Sequence, residues 1–387
     1  MKKRVAVLGA TGSIGNSALD VISRDTDSFE VVLLSANSRR TELELLQSKF
    51  PSAVSVLSGE AGGKEKLIGA IGDLRPDITI NGISGAAGLE PSIAAIEAGS
   101  TLALANKETI VMAGQLVINA AKERNVRIIP VDSEHSAIFK LIEAHAEGKK
   151  QNTDALLSEI ILTASGGPFK DLSLKEMEKV TVKDTLAHPT WKMGKKITVD
   201  SSSMANKGLE IMEACALFNI NEEKIRVVIH PKSIVHSMIR LCNGVIYAQL
   251  SKPDMRHPIS DALYWPEILD TSIADTRAAN TQEAPGYPDV LNFDSLSLEF
   301  EKPDMEKFPM LSLARAAARK GGLYPCAYNA ANEEAVAAFL DGKVSFLDIP
   351  KITSFVLDAD WIRGGARLED ILNADFEARR KAREFFR

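Results

Sequence analysis

Along the first 131 positions, compact apolar runs alternate with stretches of helical spacing. "RVAVLG", "FEVVLLSA", "AVSVL", "ITINGI", "TLALA" and "VRIIPV" are short and largely apolar, as buried strands are. Between them, "GNSALDVISRD", "TELELLQSKF", "LEPSIAAIEAG" and "KETIVMAGQLVINAAKERN" repeat apolar residues three and four apart, the spacing of an amphipathic helix. The alternation predicts a mainly parallel sheet with helices on both faces over residues 1–131.

The pattern changes near Asp132. "EIILTASGGPF" reads as a buried strand running into a Gly turn, and "RVVIHPKSIVHSMIRL" and "VIYAQL" alternate apolar and polar residues as half-buried strands do. With the mixed stretch between them, residues 132–265 predict an α+β domain. Residues 266–309 are rich in Pro, Asp, Ser and Thr without long periodicity and read as a linker. Residues 310–387, from "MLSLARAAARKGG" onward, are helical and predict a small closing bundle. The expected fold class is α/β, with a Rossmann-like first domain, an α+β second domain and a helical third.

Composition narrows the function. The net charge of −6 argues against a general nucleic-acid or membrane-surface partner. Cys215, Cys242 and Cys326 are odd in number and far apart, so neither a disulfide framework nor a metal-spaced pair is expected, and the chain suits a reducing compartment. No uncharged apolar run reaches the ~18 residues of a membrane span. "MKKRVAVLGATGS" starts basic, but its apolar run ends at once in Gly and Thr and leaves no room for a signal peptide. A cytoplasmic protein is expected.

Candidate chemistry begins at "VAVLGATGSIG". Gly9, Gly12 and Gly15 follow the first strand at intervals of three, where glycines let the backbone approach a pyrophosphate at a helix N-terminus. NAD-binding chains carry an acid near the end of the second strand for the ribose 2′-hydroxyl. Here Asn37, Ser38, Arg39 and Arg40 stand in its place, and polar donors with a guanidinium suit a 2′-phosphate, which favours NADPH over NADH. Arg39 is the preferred contact, with Arg40 at a solvated helix start. Asn106, Lys107 and Glu108 emerge just beyond the carboxyl end of a strand, the edge where open α/β sheets bind ligands.

In "VDSEHSAIF", Asp132 and Glu134 lie one residue apart directly after an apolar run. Read as an extended segment, the two carboxylates share a face and repel unless a cation or a shared proton sits between them. Taken alone, a solvated strand end fits them as well. In "DSSSMANKGLE", Glu210 shares a helical face with Asn206 (i,i+4) and Lys207 (i,i+3), and the preceding Ser run, with Ser201, suggests an anion site near a helix start. Ser165 and His188 could add donors. Trp191 and Met193, between a Pro and a Gly, read as an exposed apolar lid.

These pieces together resemble the 1-deoxy-D-xylulose 5-phosphate reductoisomerase family. The resemblance runs through "GATGSIG", "GAAGL", "LANKE", "VDSEHSAIF", "SGGPF", "HPTWKMGKKITVDS", "NKGLE", "IHPKSIVHSM", "KPDMRHPI" and "NAANE", nearly the whole chain. It implies NADPH and Mg²⁺ or Mn²⁺ as cofactors, a sugar phosphate as substrate and a homodimer assembled through the second, catalytic domain. By motif it implies Asp132, Glu134 and Glu210 as metal ligands. Ser165, His188, Ser201, Asn206 and Lys207 match substrate-phosphate contacts, and Lys107, Ser133 and Glu134 match groups at the reacting oxygens. Thr11, Gly12, Ser13, Ile14, Asn106, Glu108 and Gly194 match cofactor contacts. One departure stands out: where many members have Gly-Lys-Asn after the second strand, this chain has Asn37, Ser38 and Arg39, so Arg39 takes the place of a family lysine.

Two rivals remain distinguishable. A semialdehyde dehydrogenase can also open with "GATG", but needs a nucleophilic Cys with a His partner, and Cys215 in "IMEACALF" has the surroundings of an inert core thiol. An NADPH-sensing regulator would not need the three carboxylates.

Overall fold

The structure is a computed structural model that describes residues 1–146, 156–187, 191, 193–268, 291–362, 364–365 and 367–386. The chain forms two compact units. The first comprises residues 1–106, 117–139 and 254–293, and the second residues 107–116, 140–253 and 294–387.

In the first unit the predicted alternation is present: β1 (Lys3–Leu8), α1 (Ser13–Arg24), β2 (Phe29–Ala36), α2 (Arg40–Lys49), β3 (Val54–Leu57), α3 (Gly63–Leu74), β4 (Ile78–Asn81), α4 (Leu89–Glu97), β5 (Thr101–Leu104), α5 (Lys107–Glu123), whose residues 107–116 belong to the second unit, and β6 (Ile128–Pro130). The strands pair in parallel in the order β3-β2-β1-β4-β5-β6. Val5, Ala6, Val7 and Leu8 are all fully buried, which is why β1 reads as an unbroken apolar run: a parallel strand covered on both faces has no solvent side to alternate toward. The strand order reverses between β1 and β4, so the loop after β1 opens at the topological switch point. Sequence spacing did not reveal α3, whose glycines at 69 and 72 dilute the buried Leu67–Ile71 stripe.

The second unit is built on β7 (Leu157–Ala164), β8 (Ile225–Ile229), β9 (Val235–Leu241) and β10 (Ile246–Leu250), in the order β10-β9-β7-β8. β7 and β8 are parallel and the other pairs antiparallel, as an α+β reading requires. α6 (Ser133–Ala146) precedes this sheet. Within its sequence lie α7 (Leu174–Met177), α8 (Val182–Thr185), α9 (Lys195–Ser202) and α10 (Ala205–Phe218). The expected C-terminal helices are α12 (Pro309–Lys320), α13 (Tyr324–Leu340), α14 (Asp348–Leu357) and α15 (Leu368–Glu384). They belong to the same unit as the second sheet: Arg315 donates to the carbonyl oxygens of Glu222 and Ile225.

Two boundaries differ from the sequence reading. α11 (Arg256–Tyr264), grouped by sequence with the second domain, packs on the first: Ile259, Ala262 and Leu263 join its core, Tyr264 donates to Asp25 at 2.8 Å, and Arg256 pairs with Asp20. An amphipathic helix can cover any apolar face, and its partner is not written in its own spacing. Of the expected linker, residues 269–290 lie outside the described residues, while Glu301 forms a two-way backbone bridge with Ile229 at the end of β8.

Candidate active site

In the first unit, Gly9 ends β1 with φ +75°, and a Cβ there would sit 2.7 Å from the Gly82 carbonyl oxygen. A Cβ on Gly15 would lie 2.5 Å from Ala10 Cα. These two glycines therefore seat the loop and α1 against the sheet. Gly12 differs: it caps α1 in extended conformation (φ −84°, ψ 176°), and a Cβ on it would meet only the Gly9 carbonyl oxygen, at 3.2 Å. Its bare backbone, with half-buried Thr11 and Ile14 and exposed Ser13 beside it, is open to a ligand at the helix N-terminus. Asn37, Ser38, Arg39 and Arg40 are all exposed. Arg39 reaches the loop, its Nη1 donating to the Thr11 carbonyl at 3.0 Å, whereas Arg40 forms an ion pair with Glu60. Asn106 is buried, and its amide donates to the carbonyls of Ile83 (2.6 Å) and Gly85 (2.8 Å), holding the loop after β4.

The paired carboxylates are not on an extended segment. α6 starts at Ser133, and Asp132 is its N-cap: Oδ1 accepts from the backbone N–H of Glu134 at 3.2 Å and lies 3.1 Å from His135 Nδ1. The side-chain oxygen thereby satisfies donors that the first helical turn leaves open. Glu134 falls in that first turn and accepts from Ser133 Oγ at 2.5 Å. Leaving strand geometry is what lets Ser133 face its neighbours. An Asp before a helical run is a standard helix-start signal, here masked by the strand just upstream.

The second unit gathers the other candidates. β7 ends at Ala164, and Ser165 begins a turn through Gly166 (φ +86°) and Gly167 (φ +68°). Ser165 Oγ accepts from the Gly167 N–H at 3.3 Å, and a Cβ on Gly167 would come within 3.0 Å of the Ser201 carbonyl oxygen, so the turn rests against the end of α9. Met204, left-handed at φ +63°, links α9 to α10. α10 opens with Ala205, Asn206 and Lys207, and one turn on carries Glu210, which is fully buried. Three donors converge on its carboxylate: Asn206 Nδ2 at 2.6 Å, Lys107 Nζ at 3.1 Å and Lys207 Nζ. Lys107 also donates to Asn206 Oδ1 at 2.9 Å. The Lys207–Glu210 pair is thus no solvated i,i+3 pair worth a few tenths of a kcal/mol; it is part of a buried cluster.

Glu108, beside Lys107, accepts from Lys196 Nζ at 2.7 Å. Burial pushes its carboxyl up, but the Lys196 and Lys107 charges hold it below the usual carboxylate range. Trp191 and Met193 are half-buried, not exposed, and the Trp191 ring lies 6.3 Å from that of His236, which in turn bonds Ser251 Oγ at 3.0 Å. Gly194 is exposed and caps α9. His188 lies outside the described residues. Burial pushes the Cys215 thiol up to about 12, as suits an inert thiol rather than a reactive one. Sequence reasoning passed over His135, Lys196, Asp200 and Asn332; of these, Lys196 and Asp200 carried a signal, an i,i+4 pair inside "KKITVD".

A parallel sheet with a glycine loop at its switch point, joined in one chain to an α+β unit with a buried lysine–carboxylate cluster, defines a dinucleotide-dependent α/β oxidoreductase. Family models for 1-deoxy-D-xylulose 5-phosphate reductoisomerase match residues 5–66 and 56–114, and models for its C-terminal domains match residues 128–218 and 250–381. The chain belongs to the 1-deoxy-D-xylulose 5-phosphate reductoisomerase family. It is 43% identical to the reductoisomerase of Treponema denticola over 98% of this chain and 96% of that protein. It is 44% identical to that of Chlorobaculum tepidum over 99% of each. Among solved structures it resembles a reductoisomerase in complex with NADPH, fosmidomycin and magnesium (TM-score 0.89, 37% identity, 99% of this chain and 98% of that one). It also resembles the Zymomonas mobilis enzyme in complex with NADPH (TM-score 0.85, 39% identity, 100% and 99%).

Proposed function

We propose that this chain is an NADPH-dependent reductoisomerase that converts 1-deoxy-D-xylulose 5-phosphate to 2-C-methyl-D-erythritol 4-phosphate, an isoprenoid precursor, by a skeletal rearrangement followed by hydride transfer. The observation that carries this reading is the match to named reductoisomerases along almost the entire chain. The similar structures that hold NADPH, magnesium and fosmidomycin support the cofactors and a phosphate-bearing substrate.

The residues present fit both cofactors. Gly12 leaves an open approach at the N-terminus of α1, and Arg39 at its rim suits a 2′-phosphate, with Asn37 and Ser38 beside it. Thr11, Ser13 and Ile14 would line the pyrophosphate, and Asn106, Glu108 and Gly194 the nicotinamide half. Asp132, Glu134 and Glu210 are hard oxygen donors of the kind that Mg²⁺ and Mn²⁺ accept, and they would hold the cation. When bound, the cation supplies Lewis-acid stabilisation of charge on the substrate oxygens, and NADPH supplies the hydride.

The chain's own groups orient the substrate. Ser165, Ser201, Asn206, Lys207 and His188 would take the phosphate, turning remote binding energy into alignment. Lys107 and Ser133 would donate to the reacting oxygens. Glu134 would serve both there and at the cation. Trp191 and Met193 would cover the site and exclude water.

In this reading the first unit, with α11 packed on it, binds NADPH, residues 132–253 carry most of the catalytic groups and the contact of a homodimer, and the C-terminal helices support the second sheet, whose unit they share. Among the described residues no helix is long and apolar enough to cross a membrane, and a cytoplasmic location is part of this proposal. The test is direct. The purified chain with the pentulose phosphate and Mg²⁺ should consume NADPH in proportion to product, and stop when a chelator is added. NADPH consumption that is absent, or that ignores the chelator, would overturn the reading.

A further inference from the structure

A second polar chain runs through the second unit. Asn332 Nδ2, on α13, donates to Asp200 Oδ1 at 2.7 Å; Lys196 Nζ pairs with Asp200 Oδ2 at 2.8 Å; and the same ammonium reaches Glu108 Oε1 at 2.7 Å. Asn332 and Asp200 are almost wholly shielded from water, and the Lys196 side chain is one-fifth exposed. Burial works against the Lys196 charge, yet Asp200 and Glu108 hold its proton well above the usual lysine range, with Glu333 adding to the effect.

The ends of this chain adjoin the proposed site. Glu108 follows Lys107 directly, and Asp200 precedes Ser201. Lys196 and Asp200 lie one turn apart on α9, so holding both fixes the rotation and the axial position of that helix. Ser201, at its end, supports the Ser165–Gly167 turn. Buried ion pairs contribute little net stability, because desolvation consumes most of the attraction, and apolar residues of the same volume often serve as well or better. A chain of this cost is therefore more useful for geometry than for stability.

We propose that Lys196, Asp200 and Asn332 are positioning residues, through which the C-terminal helix α13 sets the orientation of Ser201 and Lys107 toward the sugar phosphate. The inference rests on the proposed function. Asn332 would act at a distance, since Asp200 and Lys196 stand between it and Glu108.

The experiment compares wild type with Asn332→Leu, which keeps the branched shape but removes the donor, and with Asp200→Asn, which is isosteric but removes the charge facing Lys196. Each is assayed with NADPH and Mg²⁺ for turnover, for fosmidomycin affinity and for NADPH binding by fluorescence. Both variants should raise the KM for the pentulose phosphate and weaken fosmidomycin by about tenfold or more, while NADPH affinity stays within about twofold. A lower melting temperature is expected from either role, because each change breaks a buried polar contact; a merely structural role would weaken both ligands together. If Asn332→Leu does not fold, Asp200→Asn decides alone. Folded variants that bind fosmidomycin and substrate like wild type, or that lose NADPH equally, overturn the inference. A wild-type chain without turnover overturns the proposed function, and this inference with it.

Discussion

Lys107 Nζ lies 3.1 Å from Glu210 Oε1, with both side chains buried and 103 positions apart along the chain. Glu210 also receives Lys207 and Asn206, so two ammonium groups share its single negative charge. Glu210→Gln should therefore do two separable things. In chelator it should lower folding stability by roughly 3 kcal/mol, because two buried cations lose their shared anion. With Mn²⁺ titrated in, the variant should show weaker metal dependence and turnover reduced by orders of magnitude. Denaturation in chelator reads the first effect and rate against Mn²⁺ the second. Unchanged values in both would remove Glu210 from the site and from the cluster.

Arg39 should read the cofactor's 2′-phosphate. Arg39→Ala should weaken NADPH by roughly 1.5–3 kcal/mol, the loss of a charge-assisted hydrogen bond, and leave NADH almost unaffected. Arg40→Ala should cost little, since its ion pair with Glu60 joins two side chains that are both more than half exposed. Titrating both cofactors against both variants checks this, and equal losses of NADPH and NADH in Arg39→Ala would contradict it.

The Glu108–Lys196 pair predicts a pH dependence. The carboxyl of Glu108 is held below its usual range in the folded chain. Its contribution to stability is therefore full above an ordinary glutamate pKa of about 4.3 and is lost as pH falls through the lower folded value. Lys196 has the opposite sign: its folded value is raised, so its contribution is intact below an ordinary lysine pKa of about 10.4. The stability gap between wild type and Glu108→Gln should be flat between those limits and close on the acid side. Urea midpoints from pH 3 to pH 8 measure it. A gap that stays constant into acid would show that Glu108 carries no depressed pKa.

Two glycines of one loop should separate fold from ligand. Gly9→Ala forces a side chain into the left-handed region at about 1–2 kcal/mol and onto the Gly82 carbonyl besides, so thermal stability should drop clearly. Gly12→Ala keeps an allowed φ of −84° and should cost less than about 1 kcal/mol. NADPH affinity should nevertheless fall in Gly12→Ala, because a methyl group stands where the backbone meets the pyrophosphate. Melting curves with and without NADPH distinguish them, and identical behaviour of the two variants would argue against the loop's proposed division of roles.

What the sequence by itself determined was local. Period-two and period-3.6 patterns mark elements because burial of one face acts on residues a few positions apart, and so the βαβ alternation, the glycine loop after β1 and the shared face of Asn206, Lys207 and Glu210 were all legible. The chain also held the start of α6 in the capping chemistry of Asp132, though the apolar strand upstream hid it. Only the tertiary structure decided which distant groups meet. Nothing in "LANKE" names Glu210 as the partner of Lys107, nothing in "NAANE" names Asp200 as the partner of Asn332 across 132 positions, and α11 could have covered either sheet by its spacing alone. Side-chain pairing across such separations is set by how helices and strands pack, and packing depends on the whole set of apolar faces at once rather than on any one segment's pattern.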